Sequence, residues 1–129
     1  MARTKSSLPT DAELEILKIL WEQGPSTVSE VQKKMERSRP TGYTTVLKFL
    51  QIMYGKGLVK REESQRAHVY EAVPSQDGTR SRLVRDLLQR AFGGSAHKMV
   101  MHALTEKKVS PQELAEIRTL LDSLEKKGK

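Results

Sequence analysis

The chain has 129 residues, no cysteine, 23 Lys plus Arg against 16 Asp plus Glu, and a formal net charge of +7. That length allows one domain or two very small ones, and the lack of cysteine excludes disulfides, thiolate metal sites, Fe–S clusters and a cysteine nucleophile together. No run of about 18 apolar residues is present, and Met1–Thr10 carries basic residues with no apolar stretch behind them. Neither membrane insertion nor a signal peptide is therefore expected, and the reading is a cytoplasmic protein whose charge favours a polyanionic partner.

Thr10 and Glu13 form a T-x-x-E capping box, which starts the first predicted helix. Leu14, Leu17 and Trp21, widened by Ile16 and Leu20, make its apolar stripe, with Glu13, Glu15, Lys18 and Glu22 at polar positions; Trp21 reads as core rather than as a stacking platform. Gly24-Pro25 ends it. A second box, Thr27 with Glu30, opens a short helix over about Val28 to Met35, which stops before Pro40. A third helix begins around Thr41, with Val46, Leu47, Leu50, Met53 and Tyr54 as its buried stripe, and closes at Gly55-Lys56-Gly57.

The period then changes from 3.6 to 2. Leu58–Glu62 and His68–Val73 read as two short strands joined by the polar tip 63–67. Two strands alone are marginal in water, so this hairpin must lean on the helices. Pro74–Gly78 is a breaker cluster and the predicted boundary between two domains, 1–74 and 75–129. Three helices follow: Thr79 to Phe92, Ala96 to Leu104 after Gly93-Gly94, and one that starts at Ser110-Pro111-Gln112-Glu113.

Helix, short helix, helix, hairpin is the order of a winged helix-turn-helix, so the expected fold is mainly α with a small β-hairpin, followed by a C-terminal helical dimerisation segment. In such a fold the third helix lies in a major groove about 12 Å wide, with its first turns facing base edges. Tyr43, Thr44, Thr45 and Lys48 are the polar residues there, and Arg66 and His68 on the hairpin reach the neighbouring backbone. The charge supports the placement. Residues 31–66 hold nine basic side chains, among them Lys33, Lys34, Arg37 and Arg39, and three acidic ones. Arg39 and Thr41 join the predicted DNA contacts, and Lys33, Lys34 and Arg37 flank the groove as phosphate contacts.

The C-terminal segment is too apolar on one side for about 55 residues to hide alone. Leu83, Leu87, Phe92, Val100, Leu104, Leu114, Ile117, Leu121 and Leu124 are the predicted homodimer interface, the last four spaced 3-4-3 like a coiled-coil seam. A twofold dimer suits a palindromic operator. His97 and His102 are five apart, on different faces of a helix, and no carboxylate cluster joins them, so no metal or cofactor is expected. No catalytic constellation stands out, so the chain is not read as an enzyme. Two other readings are a winged-helix protein-interaction adaptor, which the polar-to-basic third helix argues against, and a general DNA binder without a dedicated operator.

Several stretches carry a family resemblance. The run from Leu8-Pro9-Thr10 to Trp21 resembles the opening of the penicillinase-repressor family (BlaI/MecI/CopY type), as do Tyr43-Thr44-Thr45-Val46-Leu47, Lys56-Gly57-Leu58-Val59 and the wing Arg66–Tyr70. The Gly93-Gly94 turn and the Ser110–Leu114 start of the last helix are similar too. The resemblance covers nearly the whole chain and implies a homodimeric transcriptional repressor on a double-stranded operator. It also implies a membrane sensor metalloprotease as partner, cutting at an Asn-Phe pair in the penultimate helix. That pair would fall at His102-Ala103 here, a different dipeptide. The cysteine cluster of copper-responsive relatives is absent. The releasing signal is left unassigned.

Overall fold

Each capping box written in the sequence closes. In a computed structural model, which describes residues 8–64 and 66–128, Thr10 Oγ1 accepts from the Glu13 N–H at 3.3 Å while Glu13 Oε1 accepts from the Thr10 N–H at 3.0 Å. Thr27 with Glu30 and Ser110 with Glu113 repeat the exchange. These boxes start α1 (Asp11–Gln23), α2 (Val28–Met35) and α6 (Pro111–Lys127). Gly24, at φ +85°, ends α1, and Gly57, at φ +82°, ends α3 (Tyr43–Lys56) in the left-handed region that glycine reaches without a Cβ clash.

The hairpin strands are β2 (Val59–Glu62) and β3 (Val69–Ala72), paired antiparallel with Arg61 opposite Tyr70. Where the sequence showed two strands, the sheet has three. Ser26–Thr27, β1, pairs with the other edge of β3 through Ser26↔Tyr70 and Thr27↔Val69. Two residues are too few to show a period, and Thr27 also caps α2. The added strand is what a two-stranded ribbon needs for stability.

Ile16, Leu17, Leu20, Val31, Met35, Val46, Leu50, Met53, Leu58, Val59 and Tyr70 form one buried cluster between the three helices and the sheet. Side chains of this size each contribute about 1.5–3 kcal/mol on burial, so the cluster outweighs any surface pair. Trp21 packs against it, partly buried, and its Nε1 donates to the Pro74 carbonyl at 2.9 Å. Two polar expectations change. Glu13 is buried rather than solvated, and Tyr54, placed in the buried stripe by its spacing, is 43% exposed.

The helix α4 spans Gln76–Phe92 and so begins inside the breaker cluster. Ser75 Oγ accepts from the Gly78 N–H at 2.9 Å, which converts Gln76-Asp77-Gly78 into a capped first turn. Gly93 and Gly94, both at positive φ, separate α4 from α5 (Ala96–Glu106). The chain divides within α4 into two compact units, Met1–Val84 and Arg85–Lys129. The first unit is a winged helix-turn-helix. Among the described residues of the second, none is buried.

Candidate nucleic-acid interface

The helix α3 is amphipathic in a way that aims its first turns outward. Val46, Leu50 and Met53 face the core, which leaves Tyr43, Thr44, Thr45 and Lys48 exposed. Its N-cap, Gly42, offers no side-chain acceptor, so the first backbone N–H groups are met by no cap. The turn before it is held from α2. Gln32 Nε2 donates to the Thr41 carbonyl at 3.0 Å and to Glu36 Oε2 at 2.9 Å, and the Thr41 hydroxyl donates to the Arg39 carbonyl at 2.6 Å. Thr41 is thus committed to the turn, with Arg39 exposed beside it.

Tyr43, Arg66 and His68 come together although 25 positions separate the first from the last. With Thr27, Ser29 and Leu47 they border a cleft of about 230 Å³ between the starts of α2 and α3 and the base of the wing. Thr44, Thr45 and Lys48 lie outside this cleft, on the exposed surface of the same helix. Ser29 also borders the cleft, at a position the sequence pattern does not single out. Its signal is its place, two residues past the Thr27 cap, where a helix N-terminus presents hydroxyl and amide donors together.

The basic window does not act as a whole. Lys56 pairs with Glu13 at 2.8 Å, Lys60 with Glu71 at 3.8 Å, and Arg61 donates from Nε to Glu63 Oε2 at 2.6 Å while its guanidinium stacks 3.9 Å from the Tyr54 ring centroid. The Arg61 contact holds the Glu63 carboxyl below its ordinary value, and the Glu63 hydrogen bond raises Arg61. These three cations brace the wing and core. Lys33, Lys34, Arg37, Arg39, Lys48 and Arg66 make no ion pair among the described residues. They are the charges available to an anionic partner.

Against this geometry, residues 9–123 match the family described as penicillinase repressor. The chain belongs to that family. It is 32% identical over 117 residues to the transcriptional regulator BlaI of Mycobacterium tuberculosis, covering 89% of this chain and 83% of that protein. It is 20% identical over 116 residues to the penicillinase repressor of Staphylococcus aureus, covering 90% and 92%. Among solved structures, the DNA-binding domain of the repressor BlaI is 25% identical and covers 55% of this chain and 89% of that domain, with a TM-score of 0.49.

The family match takes in both units. In the second, Leu87, Val100, Leu121 and Leu124 are exposed, while Phe92, Leu104, Leu114 and Ile117 are partly covered; Leu83, just before the division, is also partly covered. Met101 and Leu120 in the second unit, and Val84 at the end of the first, are also exposed. His97 and His102, read as facing apart, both border one cleft of about 510 Å³ with Phe92, Lys98 and Met101. Five residues rotate a helix by about 500°, leaving the two side chains roughly 140° apart, yet both line this cleft. The His102 ring lies 5.6 Å from Phe92, tilted by 58°. Among the described residues no three His, Asp or Glu cluster as metal ligands, and no helix is long and apolar enough to cross a membrane.

Proposed function

We propose that this family member is a cytoplasmic repressor that binds a palindromic operator as a homodimer, with α3 of each protomer in successive major grooves. The observation that carries the reading is the exposed Tyr43-Thr44-Thr45-Lys48 surface on α3, bordered by cations with no partner of their own. Thr44, Thr45 and Lys48 read base edges, and Tyr43, Arg66 and His68 meet the adjoining backbone. Arg39 adds a phosphate contact at the turn. The uncovered Leu87, Val100, Leu121 and Leu124 support a second copy as the partner of the C-terminal unit. Release by a sensor protease would require cleavage at a dipeptide other than the family's Asn-Phe, since His102-Ala103 stand there.

A mobility-shift titration tests this, using DNA upstream of the protein's own gene beside random duplex at two salt concentrations. Tight, salt-sensitive preference for one imperfect palindrome is the expected result. Equal weak binding to both duplexes would leave a general DNA binder, and no binding at low salt would remove the repressor reading.

A further inference from the structure

Among the described residues, one of the six unpaired cations in the basic window, Arg66, borders the α3–wing cleft. Lys33, Lys34 and Arg37 line a separate concavity of about 450 Å³, closed by Gln23, Pro25 and Ser26 at the α1–β1 turn. The two clefts share no residue. Cations suit the last turn of a helix such as α2, which accounts for their sign. It does not account for Arg37, which lies in the turn beyond the end of α2 and still lines the same cleft as Lys33 and Lys34. Among the residues lining this cleft three cations face one carboxylate, Glu30, whose Oε1 also accepts the Thr27 N–H at 2.9 Å in the capping box.

We infer that this cleft binds a multiply charged phosphate ester of nucleotide size. Its volume falls within the range of small-ligand sites. Lys33 and Lys34 supply point charges, and the Arg37 guanidinium supplies a planar fork that matches two phosphoryl oxygens. Pro25 offers an apolar wall for the organic part of such an ester. None of its residues belongs to the α3 surface, so base reading does not need it; whether its cations meet a small phosphate or the DNA backbone is what the experiment separates.

The experiment is an amide-resonance titration of the full-length protein with pyrophosphate and with ATP, against sulfate at matched ionic strength. Saturable shifts confined to residues 23–37, at concentrations well below those sulfate needs, are expected. Lys33→Gln/Arg37→Gln should weaken binding at least tenfold, while Lys98→Gln, a cation removed elsewhere, should not; both positions are exposed, so an unchanged melting curve confirms the fold. Shifts that follow ionic strength alone would overturn the proposal, as would shifts centred on Tyr43–Lys48 and Arg66. A duplex arm separates the remaining source of phosphate. If the double variant lowers the dimer's salt slope of operator binding by about 3.6, two contacts in each of two protomers, while pyrophosphate leaves residues 23–37 unmoved, the cleft serves the DNA backbone. The small-ligand site then falls and the repressor reading stands.

Discussion

Lys56, in the last turn of α3, donates to both carboxylate oxygens of Glu13 in the first turn of α1, at 2.8 and 3.0 Å. The Glu13 side chain is only 4% exposed and also closes the α1 capping box. One carboxylate therefore fixes where α1 starts and ties it to the end of α3, whose first turns carry the proposed base-reading residues. Removing one partner of a buried pair costs more than removing both, because the other is left desolvated and unpaired. Lys56→Met should lower unfolding free energy by about 2 kcal/mol, somewhat less than for a fully buried pair since Lys56 is 28% exposed. Adding Glu13→Gln to Lys56→Met should cost less than the two single changes combined. Urea unfolding of the four proteins in a double-mutant cycle measures the coupling, and additivity would mean the pair contributes nothing.

The wing is braced by a pair that acidification should release. Arg61 holds Glu63 below the ordinary carboxylate value, so folding favours the charged form. The contribution is present above the ordinary Glu range and is lost as pH falls through the lowered value. Glu63→Gln should melt below the parent protein at neutral pH, and the gap should close as pH drops below that range. The pair is exposed, so the gap is expected to be small. Melting temperatures of both proteins across pH 3–8 give the comparison, with a constant gap counting against the pair.

If each protomer neutralises about four phosphates, the dimer's log–log salt slope for operator binding should be near −7. Lys48→Ala separates the two jobs a cation on α3 can do. A base-reading Lys48 should lose on the order of 1–3 kcal/mol on the operator with reduced discrimination, whereas a phosphate contact should weaken all duplexes alike and lower the dimer's slope by about two, one per protomer. Unchanged operator affinity would remove Lys48 from the interface.

Leu121 is 56% exposed on α6, in line with Leu114, Ile117 and Leu124. Leu121→Asp places a charge on the proposed seam without disturbing a core. It should yield monomers by sedimentation that retain helix content but bind a palindrome poorly. A dimer that survives would place the interface on another face.

What could be read from the chain alone is what depends on neighbours within about four positions. The capping boxes at Thr10, Thr27 and Ser110, the glycine stops at Gly24 and Gly57, and the change of period at Leu58 all closed as written, because each hydrogen bond or steric constraint lies within one turn. The exposed face of α3 followed from the same periodicity. The start of α4 did not, because Ser75 sits among Pro74, Asp77 and Gly78, a composition typical of a breaker, yet its hydroxyl caps the first turn. Tertiary structure decided the rest. Glu13 looks like a surface acid until Lys56 arrives from 43 positions away. Ser26–Thr27 is a strand only because β3 offers it an edge. The basic stretch of 31–66 looks uniform in one dimension, yet folding pairs Lys56, Lys60 and Arg61 with carboxylates. The same folding sends Lys33, Lys34 and Arg37 to one cleft and Arg66 to another, beside Tyr43. A charge shows its sign in the sequence, but its partner is set by packing between elements far apart in the chain.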